Sequence, residues 1–392
     1  MLWGEEFNEE YGIPEGRPEH VSDTSTEHLY TTLRRLDKDT GDTGALNKGI
    51  FHVKRRSDKL QFVRKKIDIR EKMLLREIFF LKSLRHPNII KFIDAFITTG
   101  PTKEASLYTE YCNRGNLLKL ITKYQERNKL YAKTPAKIPE SFIWHIFASL
   151  ASALQYIQFG IRSGTLPRAQ FPNMTDDEIA NKLIDKWQLI LHRDIKPENI
   201  LLRAGKGEKR VREKRRPFPF SFLKHEVTEY LPSVFPRVVL ADFGISTKRG
   251  HADFDEIGEG TGTPLYWPPE LAVSSSRADI WTTGAVILSL CKLLDRGPLP
   301  PPPKKLNTPQ GRYQWELSKQ ARIGMEITAR VGKHYSPHLD NIVYNCMRDE
   351  RDNRPFAFKL VEDIQDARLR AKQDGWLEET RLPHWVFAHK VD

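Results

Sequence analysis

At 392 residues, with 39% hydrophobic and 29% charged positions, the chain is long and apolar enough to bury one large core or two smaller ones. That balance excludes wholesale disorder. The net charge of +12 is spread out apart from one cluster, so charge alone selects neither nucleic acid nor an acidic surface.

Cys112, Cys291 and Cys346 lie far apart and make no CxxC pair, which argues against a disulfide scaffold or zinc site and for a reducing compartment. The acidic start Met1-Leu2-Trp3-Gly4-Glu5-Glu6 does not read as a signal peptide. No run of about 18 apolar residues, the length that spans a bilayer, occurs.

In chain order, residues 1–40 read as a partly irregular extension with a short helix near Leu29–Leu36 docked on the body. From about 41 the pattern is strand-like, through Gly44, Leu46, Gly49, Phe51 and Val53, a polar turn at Arg56–Lys59, and a strand from Leu60 to Ile67. Side chains alternate along a strand, so only one of Lys65 and Lys66 can face a cleft. Leu74, Ile78, Leu81 and Leu84 mark one buried helical face with Glu77 beside it, either as a surface charge or as a partner for a cation. Ile89–Ile97 and Leu107–Tyr111 read as strands split by a turn at Gly100-Pro101. A densely apolar helix spans Ile143–Ile157, where His145 reads as a packed or surface residue. Within 160–186, the capping box Thr175-x-x-Glu178 ahead of Ile179, Leu183 and Ile184 predicts an extra helix packed on the lobe.

The chemistry concentrates in His192-Arg193-Asp194-Ile195-Lys196-Pro197-Glu198-Asn199, a loop leading into the apolar Ile200-Leu201-Leu202. One carboxylate there can accept a proton, one cation can hold an anion, and one amide can ligate a metal. Asp242-Phe243-Gly244, after Val238–Ala241, supplies a second metal-binding acid. Between them, 203–236 reads as a second insertion, with a basic run at 206–216 and then a Phe- and Pro-rich part. It is either a solvated loop or a nuclear-import, nucleic-acid or substrate-docking element. Pro298–Lys305 fits P-x-x-P-x-K, either a stiff surface loop or a ligand for an SH3-type partner. Ile342–Leu369 reads as packed helices, and Trp376, Trp385 and Phe387 of the tail as folding back onto the lobe.

Together these motifs resemble the eukaryotic protein kinase family, serine/threonine type, over about residues 42–366. The resemblance implies an α+β bilobal fold: a small antiparallel-sheet N-lobe with one helix, and a larger, mainly helical C-lobe. The N-lobe and hinge would span 41–112, the C-lobe 113–366 with insertions near 160–186 and 203–236, and the tail 367–392. It also implies transfer of the ATP γ-phosphate to serine or threonine hydroxyls of protein substrates, with Mg²⁺, in the cytoplasm, the nucleus or both.

Residue by residue, the resemblance gives Asp194 the acceptor's proton, Lys196 the γ-phosphate charge, and Asn199 and Asp242 the Mg²⁺. Lys65, in a V-A-I-K-like Phe62-Val63-Arg64-Lys65, would pair with the α- and β-phosphates, held by Glu77. Gly44 and Gly49 fall on the first and third glycines of G-x-G-x-x-G-x-V, with Leu46 in place of the middle one and Phe51 in place of the adenine-covering valine. Thr109 would be the gatekeeper, and the backbone of Glu110 and Cys112 would bind adenine. Asn116 stands where an aspartate often binds ribose.

Thr263, in Gly262-Thr263-Pro264-Leu265-Tyr266-Trp267-Pro268-Pro269-Glu270, joins Lys196 in pointing to serine/threonine acceptors. Glu270 should pair with Arg354, and Asp279 should anchor the catalytic-loop backbone. Arg193 implies control by an activation-loop phosphate, with Glu259 and Glu256 as stand-ins or Thr261 as its carrier. Two rival readings are a pseudokinase scaffold, suggested by Leu46, and a nucleic-acid binder using the 206–216 run.

Overall fold

The computed structural model describes residues 28–37, 47–68, 75–98, 104–162, 167–204, 235–250, 262–270, 275–298, 317, 330–377 and 381–387. Five antiparallel strands form the first layer: β1 (Tyr30–Arg35), β2 (Asn47–Arg55), β3 (Gln61–Asp68), β4 (Phe92–Thr98) and β5 (Glu104–Glu110), in the order β1-β2-β3-β5-β4. Strand alternation divides the sheet into two faces. Tyr30, Val53, Phe62, Phe96 and Tyr108 gather into a small outer cluster. Ile67, Ala105 and Leu107 face inward and join the main core with Ile78 and Leu81 of helix α1 (Arg76–Ser83).

One expectation is corrected here. Residues 29–36 do not form a helix in an extension; Tyr30–Arg35 is the first strand of the sheet, paired with β2 from Tyr30↔Arg55 to Arg35↔Phe51. Leu29 and Leu33, spaced as a helical face would be, stay 39% and 46% exposed. The β-favouring Tyr-Thr-Thr run and the pairing partner decide the conformation.

The second lobe is built on α2 (Leu117–Leu130), α3 (Glu140–Phe159), α4 (Asp176–Ile184), α5 (Ser276–Lys292), α6 (Pro337–Cys346) and α7 (Ala357–Gln373), with short strands β6 (Ile190–Leu191), β7 (Ile200–Arg203), β8 (Arg237–Leu240) and β9 (Thr247–Lys248). Helix α3 is buried on nearly every side, as its composition predicts. It stops at Gly160, whose φ of 70° suits glycine and whose missing side chain makes room for the Trp187 ring. Trp187 Nε1 donates to the Ile157 carbonyl at 3.0 Å, which pins the far end of the insertion to that helix. The extra helix is present as α4, with the Thr175–Glu178 capping box closed and Ile179 and Ala180 buried. His145 is a packed helix residue whose Nε2 lies 3.0 Å from the Pro236 carbonyl.

Backbone bonds fasten the chain behind the cleft, both just after the hinge and between the lobes. Arg114 N–H donates to Leu202 O at 2.9 Å and Leu202 N–H to Gly115 O at 2.8 Å, while Leu240 N–H reaches Asn88 O at 2.8 Å. The tail closes on α2: Trp385 packs edge-on against Tyr124 at 4.8 Å, and Arg114 lies over the Phe387 ring at 4.8 Å. Trp376, expected to fold back with them, remains 40% exposed. Among the described residues no helix is long and apolar enough to cross a membrane.

Candidate active site

The loop from His192 to Asn199 lies on the floor of the cleft between the lobes, and its side chains are tied to one another. Asp194 Oδ1 accepts the Thr263 hydroxyl at 2.6 Å, and its Oδ2 accepts Asn199 Nδ2 at 3.0 Å. Lys196 Nζ lies 3.1 Å from Asp194 Oδ2 and donates to Thr263 Oγ1 at 2.8 Å. Burial alone would weaken the Lys196 ammonium, but the Asp194 carboxylate outweighs it and the lysine pKa ends above its usual value. Asn199 Nδ2 also reaches the Asp194 carbonyl at 2.9 Å, so its remaining oxygen is the atom it has to offer a cation.

The loop's shape is imposed from beneath. Asp279, 1% exposed at the start of α5, accepts the backbone N–H of His192 at 2.9 Å and of Arg193 at 3.0 Å. Burial pushes this carboxyl up, with the two amides and the His192 ring opposing. Arg193 is held at φ 71° and Asp242 at φ 66°, a region that costs a side-chain-bearing residue about 1–3 kcal/mol. Gly262, at φ 84°, packs so closely that an added Cβ would sit 2.5 Å from the Arg193 carbonyl oxygen. His192 is fully buried, with Nε2 3.1 Å from Ala241 O, Nδ1 accepting Asp194 N–H at 3.3 Å, and its ring edge-on to Phe243 at 4.8 Å. Those partners assign the ring proton to Nε2.

From above, Lys65 Nζ bonds Glu77 Oε2 at 2.8 Å and Asp242 Oδ1 at 3.0 Å, joining sheet, α1 and floor through one ammonium. Lys66 points the other way, 3.8 Å from Glu104, so strand alternation selects Lys65 for the cleft. Burial works against the Lys65 charge, but the two carboxylates overcome it and raise its pKa. Asp242 moves opposite ways under burial and Lys65, and ends below the carboxylate range. Glu77, more deeply buried and facing Asp242 as well, ends above it.

The roof departs from expectation at Phe51. Ile50 pairs with Lys65 and His52 with Val63, so Ile50 and Val63 share the cleft face, while Phe51, opposite Arg64, lies on the outer face. Its ring is sandwiched by cations there, Arg64 at 4.9 Å and Arg35 at 5.7 Å. Phe51 therefore does not cover adenine. Ile50 and Val63 stand on the cleft face instead, and the signal for them was parity counted from Lys65. Gly49 sits at a bulge with φ 140°, where an added Cβ would meet the Phe51 ring at 2.8 Å. Gly44 and Leu46 lie outside the described residues, as do Glu256, Glu259, Thr261, the 206–216 run and Leu299–Lys305.

At the hinge, Cys112 is buried and its thiol is pushed up to about 12. The Glu110 side chain, 3% exposed, is turned away to ion pairs with Arg203 and Arg237 and accepts Lys91 N–H at 3.1 Å. Sequence reasoning did not find this cluster, because its partners stand 93 and 127 residues away. Further out, Arg354, fully buried, grips Glu270 with two bonds of 2.7 Å, as the motif spacing predicts.

A five-stranded lobe over a helical one, with lysine, glutamate and two aspartates meeting in the cleft, defines the kinase class of fold. A family model described as the protein kinase domain matches residues 41–159 and 186–364, and the chain belongs to that family. It is 28% identical over 346 residues to the G2-specific protein kinase nimA of Emericella nidulans, covering 85% of this chain and 40% of the relative. It is 25% identical over 345 residues to the human serine/threonine-protein kinase Nek2, covering 85% of this chain and 59% of the relative. A third relative, the G2-specific protein kinase fin1 of Schizosaccharomyces pombe, is 25% identical over 347 residues, with 86% of this chain and 40% of fin1 covered. The chain thus matches less than two thirds of the length of these relatives.

Proposed function

We propose that the chain is a serine/threonine protein kinase that transfers the γ-phosphate of ATP to hydroxyls of protein substrates. The observation that carries this reading is the pair of networks meeting in the cleft, Glu77–Lys65–Asp242 from above and Asn199–Asp194–Lys196–Thr263 from below. Phosphoryl transfer needs little covalent help from a protein and much positioning and charge neutralisation. Asp194, its rotamer fixed on both oxygens, orients the acceptor hydroxyl and takes its proton. Lys196 balances charge on the group in flight, and Lys65, kept charged by its two acids, holds the α- and β-phosphates. The backbone of Glu110 and Cys112 receives the adenine beneath Ile50 and Val63.

Asn199 and Asp242 offer an amide oxygen and a carboxylate, the hard donors Mg²⁺ prefers, and the Asp242 side chain is 42% exposed toward the cleft. Among the described residues no group of three or more His, Cys, Asp or Glu forms a complete metal cage, so phosphate oxygens and water would finish the shell. Bound there, Mg²⁺ supplies positive charge to the phosphates.

The serine/threonine class rests on the Lys196–Thr263 bond and agrees with the name of Nek2. The Pro298–Lys305 sequence is offered as an SH3-type ligand, and the cytoplasm or nucleus as the compartment. The deciding test is transfer of labelled phosphate from ATP to a peptide library by wild type and Asp194→Asn. Loss of at least about a thousandfold in kcat is expected; equal transfer by both would remove the catalytic assignment.

A further inference from the structure

Two guanidinium groups flank the Phe51 ring on the outer face of the roof, and they are completed differently. Arg35 turns the fork formed by its Nε and Nη2 toward Asp37 and holds both carboxylate oxygens, at 2.7 and 2.8 Å. In Arg64 the same fork is half empty. Its Nη2 reaches the Thr32 hydroxyl at 3.3 Å, while its Nε is shut off from water and meets no acceptor. Arg64 is only 5% exposed, yet among the described residues no carboxylate pairs with it. A buried cation held by one long bond to a neutral oxygen and by the face of a ring lacks its anion.

The strand register shows where that anion can be attached. Arg35, Phe51 and Arg64 form one rung of the outer face, and Thr32, Val53 and Phe62 form the neighbouring rung. Thr32 is exposed on β1, the edge strand, so its hydroxyl both touches the open fork and is reachable from outside. We propose that Thr32 is a phosphorylation site and that Arg64 is the fork that holds its phosphate, tying β1 to β3 over the Phe51 ring. A phosphate on Oγ1 brings anionic oxygens to the Nε and Nη2 side of the guanidinium, the paired geometry that Arg35 already makes with Asp37.

The transfer breaks the bond between Pγ of ATP and the oxygen that leaves with ADP. It forms the bond between Pγ and Thr32 Oγ1, and the hydroxyl proton goes to the catalytic carboxylate. Arg64 and Lys65 are successive residues of β3, so Thr32 lies on the opposite face of the sheet from the cleft. A chain cannot bring Thr32 to its own cleft, and a second copy makes the transfer. That step rests on the kinase reading above; the Arg64 fork does not.

The experiment has two arms, both on the full chain. In the first, phosphothreonine is placed at position 32 by amber suppression, and denaturant unfolding is compared with the unmodified protein, in wild type, Arg64→Lys and Arg64→Gln. The phosphate should raise the ratio of folded to unfolded protein about tenfold in wild type, the size of one charge-assisted bond, and less than about twofold in Arg64→Gln. Arg64→Lys, which keeps the charge but not the fork, should fall between them. No gain in wild type, or an equal gain in all three, would overturn the proposal. In the second arm, tagged Asp194→Asn protein is incubated with wild type, Mg²⁺ and ATP, and its phosphate is mapped by mass spectrometry. Phosphate on Thr32 is the expected result. An unmodified Thr32 while peptides are labelled would overturn the proposal and leave the kinase reading standing. No label on any acceptor would overturn the kinase reading, and the transfer by a second copy would fall with it.

Discussion

The floor and the roof of the cleft hold their charges in opposite ways. On the floor, Asp194, Lys196, Asn199 and Thr263 point at one another inside the cleft, and buried Asp279 keeps the backbone beneath them in a strained shape. On the roof, Arg35, Arg64 and Asp37 lie beyond the far face of the strands, with Arg35 bonded to Asp37 at 2.7 Å and both arginines against Phe51. Beside Lys65, the roof turns Ile50, Val63 and the His52 ring toward the cleft. In the proposed reaction the floor supplies chemistry and the roof supplies shape, so the two should fail differently when altered.

The largest effect is expected beneath the floor. Asp279→Asn sets an N–H against one of the two backbone amides it now accepts, and an unpaired buried donor costs about 1–3 kcal/mol. A fall in kcat of about a hundredfold with a largely unchanged KM for ATP, measured on folded protein, is the expected outcome. An unchanged kcat would show that the loop holds its shape without Asp279. Next comes the junction of the two regions: Glu77→Gln removes the neutralising partner of Lys65 and should lower kcat/KM for ATP roughly tenfold or more, the worth of a charge-assisted bond.

A smaller and sharper contrast lies within the roof. Because Phe51 faces outward, Phe51→Leu should change the KM for ATP by less than about twofold. Val63→Phe, which fills the space beneath the sheet, should raise it at least about tenfold, an overpacking loss of 1–3 kcal/mol. If Phe51→Leu instead proved the more damaging, the strand parity assigned to the roof would be wrong.

The smallest effect concerns a joint between the lobes. His86 stacks on Tyr156 at 5.1 Å, accepts Asn88 N–H on Nδ1 at 3.2 Å and lies 3.3 Å from the Ser152 hydroxyl. Burial, aided by the charge of Arg162, lowers its pKa from 6.5 to about 4. Between those values the unfolded chain binds a proton that the folded chain refuses, so stability falls as pH drops from 6.5 toward 4. The slope from this one group is no more than about 1.4 kcal/mol per pH unit. Denaturant unfolding of His86→Asn should show a shallower acid decline than wild type; identical slopes would absolve His86.

The same division explains what could be read from the sequence. Floor residues announce themselves because phosphoryl transfer tolerates few alternatives to an aspartate, a lysine and an asparagine at such close spacing, and Asp279, Glu270 and Arg354 follow from the same motifs. The extra helix was legible because a capping box is a local signal. Roof residues are chosen by register, and the bulge at Asn47/Gly49 shifts the parity by which Phe51 would be judged. Leu29 and Leu33 mimic a helical face that pairing with β2 overrides. Glu110 showed its hinge position but not its two arginines, because contacts made by chain topology leave no trace in local spacing.

Those arginines have one more consequence. Arg203 and Arg237 are direct cross-strand partners on the last rung of the β7–β8 ladder, so the two points that bound the intervening sequence are held side by side, as the posts of a single doorway. Anything threaded between them is joined to the domain by a closure already made, and each doubling of its length adds only about 0.6 kcal/mol. The doorway is therefore a natural splice point for foreign sequence, a fluorescent tag or a second binding module, carried directly behind the hinge.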